Sequence, residues 1–341
     1  MNIKSKRGTV MEKQLTMKDV WEAKRRIQPI VEKTSLIQSS VLQEKLNASV
    51  YLKLENMHPM GAFKIRGAAN KIMSLTDEEK SHGVTTFSTG NHGLAVAYVA
   101  KQLGIRAVIC ISNRVPQAKV DALHRLGAEV VKVGESQDDA EKHCHELERT
   151  DKLTVVKPFD DLKVIAGQGT IGLELIEDVP KIDTAIIPLS GGGLFAGIGF
   201  ALKAYDPSIK IIGVSMEKAA VMAESLKAGK PVVLPEEDTL ADSLLGGIGM
   251  DNKYTFPMVR DLIDEMIHVS EDEIAAGMAY ILDQHRMVVE GAAATGVAAM
   301  LSNKINTEGK HIATIVTGNN VDTSVIAEIL QKQLNNPVLR W

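Results

Sequence analysis

The chain has 341 residues, of which 45% are hydrophobic and 24% charged, a balance typical of a globular protein with one large or two modest domains. Its net charge of −4 argues against general binding to nucleic acid or to an anionic membrane surface. Two cysteines are too few for a disulfide framework, which favours a cytoplasmic location. The basic residues 1–7 are not followed by the apolar run of a secretory signal.

Short apolar runs alternate with helix-like segments along most of the chain. Runs of this length separated by helices predict parallel sheets with helices on both faces, an α/β fold. The predicted strands, in chain order, are residues 50–54, 84–88, 107–111, 129–133, 184–189, 210–215 and 312–316. The predicted helices include one from Ile65, residues 92–103, residues 117–126 and one ending at Tyr205.

Residues 83–159 contain three strand–helix units of their own. We interpret this segment as a small domain inserted into a larger domain that residues 1–82 and 160–341 form. The cleft between the two domains is then the expected position of the functional site.

A run of three glycines, Gly191 to Gly193, follows the predicted strand 184–189 and opens a helix. Consecutive glycines let backbone N–H groups surround a group of oxygens, and the helix N-terminus adds partial positive charge. No Gly-Lys-Ser/Thr follows, so a nucleoside-triphosphate loop is excluded. Three interpretations stay open: a phosphate-type ligand, a dinucleotide with Glu217 near its ribose, and a tight turn without a ligand.

Lys64 lies between Phe63 and Ile65 at a predicted helix start. Partial burial and the positive helix end both disfavour the ammonium form, which would free the amine as a nucleophile toward carbonyl groups. The alternative is an ordinary solvated lysine. Arg66 is expected to pair with a carboxylate at the surface.

Two polar loops follow predicted strands. Residues 88–93 begin a helix, and their hydroxyl, amide and N–H groups could bind a carboxylate or could simply cap the helix. Residues 317–322 form a turn after the last strand, in which a threonine hydroxyl is free to donate. The triplet 143–145, His-Cys-His, is not expected to bind metal, because adjacent helical side chains point about 100° apart.

Together these elements resemble the fold-type II pyridoxal-phosphate enzymes, in particular the threonine/serine dehydratase and serine racemase group. The resemblance covers nearly the whole chain and implies a fold like that of the tryptophan synthase β subunit, with the cofactor between two αβα domains. The segments that carry it are residues 55–56 with 61–68, residues 88–93, residues 157–161 with 165–170, residues 190–194 and residues 317–322.

The resemblance also implies roles for individual residues. Lys64 would hold pyridoxal 5'-phosphate as a Schiff base and later act as the general base at the substrate Cα. The remaining implied contacts are Gly191, Gly192, Gly193 and Leu194 to the phosphate, Asn91 to the phenolic oxygen, Phe63 to the ring, Thr317 to the pyridine nitrogen, and Ser88, Thr89, Asn91 and His92 to the substrate carboxylate.

The implied reaction is the removal of the β-hydroxyl from a small amino acid such as threonine or serine, which gives a 2-oxo acid and ammonia. The family also implies a homodimer. The alternatives are serine racemisation and, because residues 240–252 look like those of dehydratases assigned to hydroxyectoine breakdown, a hydroxyectoine-derived amino acid. A nicotinamide-dependent oxidoreductase and a non-catalytic binding protein are the alternatives from other classes.

Four positions depart from the family pattern. Ser215 stands where a metal-binding glutamate begins the cation loop in serine racemase and some dehydratases, so no metal site is expected. The other departures are Ala62 in place of a serine, Asn319 in place of a second glycine, and Gly291, after Glu290, in place of a proline.

Overall fold

The computed structural model describes residues 14–335, so the basic residues 1–7 lie outside it. The strands are β1 Leu36–Gln38, β2 Ser49–Lys53, β3 Val84–Thr86, β4 Ala107–Ile111, β5 Glu129–Lys132, β6 Thr154–Val155, β7 Thr184–Pro188, β8 Lys210–Met216, β9 Glu265–Val269 and β10 His311–Ile315. The helices are α1 Met17–Ile27, α2 Ser40–Leu46, α3 Lys64–Met73, α4 Asp77–His82, α5 Asn91–Leu103, α6 Gln117–Arg125, α7 Gln137–Thr150, α8 Leu162–Asp178, α9 Gly193–Tyr205, α10 Val221–Ala228, α11 Thr255–Leu262, α12 Glu271–His285, α13 Gly291–Leu301 and α14 Thr323–Asn335, with short 3-10 turns at Glu55–Met57 and Asp242–Leu244.

Six strands form the larger sheet in the order β1-β2-β10-β7-β8-β9. All neighbours are parallel except the edge strand β1, which runs antiparallel to β2. The central strand β10 is in register with both neighbours, since Ile312 lies opposite Val50 on one side and Thr184 on the other. The carboxyl ends of β2, β10 and β7 therefore open on one edge of the sheet, where ligands of parallel sheets bind.

The smaller sheet has four parallel strands in the order β5-β4-β3-β6. The prediction of an α/β protein with two parallel sheets is confirmed. All four strands lie between residues 84 and 155, and the division of the chain into domains at residues 83 and 159 stays a prediction.

Both faces of the larger sheet are buried. Ile186 and Ile212 point into the core on the side of α12 and α13, whereas the adjacent Ile187 and Ile211 point into the core on the side of α9. Because side chains alternate along a strand, two covered faces require an apolar residue at nearly every position. This requirement explains the uninterrupted apolar runs in the sequence.

Helix α3 connects the two sheets. Its residues Ile65 and Ile72 are fully buried in the same core as Val96 of α5 and Ile109 of β4. On another side, α3 packs closely on α8, where a Cβ at Gly167 would lie 2.6 Å from the Arg66 carbonyl oxygen. The helix that begins at Lys64 is thus held between elements of both sheets.

Within residues 14–335, none of the helices is both long and apolar enough to span a membrane.

Candidate active site

Gly191 to Gly193, which we name the glycine turn, lie at the carboxyl end of β7. Gly192 has φ +86°, in the left-handed region that favours glycine, and α9 begins at the next residue. A Cβ at Gly191 would lie 2.4 to 2.7 Å from ring atoms of Phe159, and one at Gly193 would lie 2.9 Å from the Cβ of the same phenylalanine. Only glycine permits this close approach, and the first N–H groups of α9 have no partner within the helix. Leu194 follows with its side chain in the core.

Lys64 is the first residue of α3, and its Nζ donates a hydrogen bond to the Pro158 carbonyl oxygen at 2.9 Å. Nζ also lies 5.2 Å from the centre of the Phe63 ring. Burial lowers the pKa of Lys64 to about 8, and the charge of Glu290 partly opposes this effect. An amine with such a pKa is a substantially better nucleophile and base near neutral pH than a solvated lysine.

The loop of residues 88–93 meets the site through Asn91, the first residue of α5. Asn91 Nδ2 donates to both carboxylate oxygens of Glu290, at 3.0 and 3.1 Å. Gly93 is required here, because a Cβ would lie 1.8 Å from the Ser88 carbonyl oxygen. The side chains of Ser88 and Thr89 are half-buried and make no hydrogen bond to other groups in residues 14–335.

His92 is buried, and its Nε2 donates to the Val156 carbonyl oxygen at 2.8 Å. Burial and the charge of Lys64 lower the pKa of His92 to about 3, so the imidazole is neutral at physiological pH. Its Nδ1 is buried without a partner in the described part of the chain. The imidazole therefore does not provide a positive charge for a carboxylate, whereas the backbone N–H groups at the start of α5 point out of the helix end.

Thr317 follows β10 and lies next to the lysine segment. Its carbonyl oxygen accepts a hydrogen bond from the Phe63 N–H at 3.0 Å, and Gly318 forms an antiparallel bridge with Ala62. The Thr317 side chain is 3% exposed, yet its hydroxyl has no partner among the described residues. Leaving a buried hydroxyl unpaired costs about 1–3 kcal/mol, so this group is expected to meet a ligand.

Glu290, the N-cap residue of α13, is a member of the site that sequence reasoning missed. The carboxyl group is buried, and this burial raises its pKa to about 7, with a further contribution from the charge of Asp242. Only its position beside Gly291, a departure from the family pattern, drew attention to it in the sequence.

One short segment, residues 156–161, contacts most parts of the site. Val156 accepts from His92, Pro158 accepts from Lys64, and Phe159 lies against the glycine turn. Asp160 then accepts from the backbone N–H groups of Tyr254 and Thr255, and Asp161 caps α8. We name residues 156–161 the crossing segment. It explains how residues distant in sequence come together around Lys64.

Arg66 was expected at the surface, and this prediction was wrong. The side chain is 1% exposed and pairs with the buried carboxylates of Glu55 and Glu174. The expectation of a carboxylate partner was right, but the partners come from a 3-10 turn and from α8, which cover the guanidinium completely.

The residues weighed for other functions lie elsewhere. His143 and His145 hydrogen-bond to Glu146 and Glu148 on the surface of α7. Glu217 is exposed, with a carboxylate oxygen 3.7 Å from Lys304 Nζ. Within residues 14–335 no group of three potential metal-binding side chains is found.

The chain belongs to the family of pyridoxal-phosphate dependent enzymes, whose family model matches residues 27–318. The L-threonine ammonia-lyase of Thermotoga maritima is 40% identical over 94% of this chain and 79% of the relative. The catabolic L-threonine dehydratase TdcB of Staphylococcus aureus is 41% identical over 94% of this chain and 93% of its own length. A solved structure of maize serine racemase superimposes with a TM-score of 0.87 at 36% identity, covering 95% of this chain and 99% of the racemase.

These relatives complete the identification. The protein is a pyridoxal-phosphate-dependent enzyme, and its activity is that of a carbon–oxygen lyase. The dinucleotide interpretation of the glycine turn is therefore wrong, and so are the oxidoreductase and binding-protein alternatives.

Proposed function

We propose that the enzyme dehydrates and deaminates a small β-hydroxy amino acid, L-threonine or L-serine, to a 2-oxo acid and ammonia. One observation carries the assignment of the site. Pro158 accepts the hydrogen bond of the buried Lys64 amine, and the next residue, Phe159, lies against the glycine turn. Two successive residues of the crossing segment, Pro158 and Phe159, thus contact the reactive amine and a turn suited to a phosphate.

Features of the structure support the fit of pyridoxal phosphate to these residues. In the glycine turn a Cβ at Gly191 would clash with the Phe159 ring, so only glycine fits there, and a turn of glycines at a helix start has no side chains to cover N–H groups that can bind phosphate oxygens. The hydroxyl of Thr317 is buried without a partner, as a donor to a pyridine nitrogen would be. The residues proposed to hold the cofactor are Phe63, Lys64, Asn91, Gly191, Gly192, Gly193, Leu194 and Thr317.

Bound pyridoxal phosphate supplies a carbonyl carbon for amines and a conjugated ring that takes up the charge released at the substrate Cα. Lys64 is the residue that handles the proton of the substrate Cα. Its Nζ is the atom that bonds to the cofactor, and in its neutral form Nζ accepts the Cα proton. Because burial lowers the pKa of Lys64 to about 8, a sizeable fraction of the amine is neutral at cellular pH.

The substrate carboxylate is proposed to bind at the start of α5, to Ser88, Thr89, Asn91 and His92. The hydroxyls of Ser88 and Thr89 are available, since neither makes a side-chain hydrogen bond within residues 14–335. His92 contributes through its backbone N–H, because its ring is neutral and Nε2 is bonded to Val156. The helix N-terminus adds partial positive charge.

Serine racemisation is the second candidate, favoured by the likeness to the maize enzyme. Racemisation needs a second acid/base on the ring face opposite Lys64, and Thr89 offers a hydroxyl for that purpose. We favour elimination because residues 157–170 resemble the dehydratases and because Ser215 replaces the metal-binding glutamate. The extra methyl of threonine also restricts its side-chain rotation.

The substrate can also be a larger hydroxylated amino acid derived from hydroxyectoine, as residues 240–252 suggest. Part of that signature has a structural role, however. Asn252 donates to the Ile248 carbonyl oxygen and accepts from the Phe256 N–H, both at 2.8 Å, so it fixes the start of α11.

The experiment is a comparison of wild-type protein with Lys64→Ala. Borohydride reduction of the wild-type holoenzyme should attach the cofactor to Lys64, as mapped by peptide mass spectrometry, and the variant should take up no label and lose more than about 1,000-fold in turnover. Incubation with L-threonine, L-serine and the hydroxyectoine-derived candidate should release ammonia from at least one of them. Label on another lysine, or D-serine formed faster than ammonia, would contradict the proposal.

We also propose that the protein is a cytoplasmic homodimer. The family resemblance supports dimerisation, and two buried cysteines that form no disulfide fit a reducing compartment. Light scattering on the purified protein tests the oligomeric state.

A further inference from the structure

Three polar side chains form a hydrogen-bonded chain beside Lys64. Asn320 Nδ2 donates to the Met60 carbonyl oxygen at 2.8 Å and to Asn91 Oδ1 at 2.6 Å. Asn91 Nδ2 in turn donates to both oxygens of Glu290. The chain joins the loop before α3, the start of α5 and the start of α13.

The partners fix which way each amide points. A carbonyl oxygen only accepts, so the atom of Asn320 that faces Met60 must be its NH2 group. That group also faces Asn91, which must therefore present its oxygen to Asn320 and its NH2 group to Glu290. The orientation of the Asn91 amide is thus set from both ends, by two residues outside its own helix.

The carboxyl group of Glu290 is buried in a space that its neighbours leave open for it. The residue is 2% exposed, and its backbone N–H donates to the Gly318 carbonyl oxygen at 3.1 Å. A Cβ at position 318 would lie 2.8 Å from the carboxyl carbon, so Gly318 makes room for this group next to Thr317. Burying a carboxyl group without a cationic hydrogen-bond partner costs stability. Groups buried in this way are concentrated at functional sites.

The charged and polar groups that face Glu290 come from four elements. Lys64 on α3 carries the positive charge, and Asp242 on the 3-10 turn carries a negative one. Asn91 on α5 and Ser243 on the same 3-10 turn provide side-chain hydrogen bonds, and the backbone N–H of Asn320 provides another. Burial and Asp242 outweigh these hydrogen bonds, so the pKa of Glu290 rises to about 7.

We propose that Glu290 and Asn320 are positioning residues that hold the Asn91 amide in one orientation and present it to the cofactor. This inference rests on the proposed function, in which Asn91 meets the phenolic oxygen of pyridoxal phosphate. A carboxylate binds the Asn91 NH2 group more strongly than a neutral carboxylic acid does, because charge-assisted hydrogen bonds are stronger. The hold on Asn91 therefore tightens as the pH rises through the pKa of Glu290.

The test uses Glu290→Gln and Asn320→Ala, with Glu308→Gln as a matched control because Glu308 is exposed in the turn before β10. Pyridoxal-phosphate affinity of each apoprotein is measured by fluorescence titration, and the absorption spectrum of each holoenzyme is recorded against pH. Wild type and the control should show a spectral transition near the Glu290 pKa of about 7, which Glu290→Gln should lack. Asn320→Ala should keep the transition and bind the cofactor about 10-fold more weakly.

The inference is overturned if Glu290→Gln titrates like wild type, or if Asn320→Ala binds the cofactor as tightly as wild type does. The two variants are measured independently. If one of them does not fold, the result for the other still tests the inference. A wild-type protein that attaches no cofactor to Lys64 would instead contradict the proposed function. Urea unfolding of each apoprotein checks that the variants are folded.

Discussion

Arg66 and Glu174 face each other through two parallel hydrogen bonds inside the protein, with Nη1 2.7 Å from Oε1 and Nη2 2.9 Å from Oε2. The opposite edge of the guanidinium meets Glu55, whose carboxylate also accepts from His58 and Thr34. Burial alone would raise the pKa of Glu55, but the charge of Arg66 and the hydrogen bonds hold it well below its usual range. Since Arg66 lies two residues after Lys64, this network anchors the helix that carries the reactive amine.

Replacing Arg66 with methionine should destabilise the protein by about 3–5 kcal/mol, because the buried carboxylate of Glu55 loses its guanidinium partner and that of Glu174 keeps only Lys53 as an ion-pair partner. The free energy of urea unfolding measures the effect. Arg106→Met is the control. The Arg106 side chain is 44% exposed, and its Nη2 lies 2.8 Å from Oε2 of Glu129 at the surface. This substitution should lower the free energy of unfolding by at most about 1 kcal/mol. Equal effects in the two variants would mean that the buried network contributes no more than a surface pair.

Glu290→Gln should stabilise the apoprotein, and the gain should depend on pH. The folded-state pKa of Glu290 is raised from 4.5 to about 7, so its contribution to stability is complete below the unfolded-state value and is lost as the pH rises through the folded-state value. The variant should exceed wild type by about 3 kcal/mol near pH 8 and should lose this advantage near pH 4. Urea unfolding across this pH range measures it, and a pH-independent difference would argue against a raised pKa.

Gly191→Ala should weaken cofactor binding by at least about 10-fold, because the added methyl group meets the Phe159 ring and displaces the glycine turn. Fluorescence titration of the apoprotein with pyridoxal phosphate gives the affinity. Gly247→Ala is the matched substitution, since a Cβ there would meet only the Gly249 nitrogen, at 4.0 Å. If both variants bound the cofactor equally well, the turn would not be the phosphate site.

Chelators should leave the activity within about two-fold of its starting value, because Ser215 stands in place of the glutamate that begins the cation loop in metal-dependent relatives. Ser215 is buried with its hydroxyl donating to Met216 Sδ at 3.5 Å, and Glu217 lies near Lys304. Dialysis against EDTA followed by ammonia assay tests this expectation. Recovery of lost activity on adding Mg²⁺ or Ca²⁺ would prove it wrong.

Much of the fold could be predicted because its signals are local. Strand β4 was predicted with its exact bounds, and β7, β8 and β10 to within one residue at each end, since a strand buried on both faces must be apolar along its whole length. The short edge strand β1 escaped prediction, because three residues are too few to display a pattern.

The site was harder to predict where its contacts are distant in sequence. Glu290 meets Asn91 across 199 positions, and Arg66 meets Glu174 across 108. No periodicity records such a pairing, and a charged residue in isolation looks the same whether it is covered or solvated. The glycine turn and Lys64, by contrast, are marked by residue types that are unusual at a strand end and a helix start.

The crossing segment has a consequence for communication between the two sheets. It continues directly from β6 of the smaller sheet, and within six residues it contacts His92, Lys64 and the glycine turn before ending at the cap of α8. A rigid-body displacement of the smaller sheet would therefore pull on Pro158 and change the hydrogen bond that orients the Lys64 amine. Closure around a substrate and the alignment of the base would then occur in one movement, because the crossing segment connects the smaller sheet to Lys64.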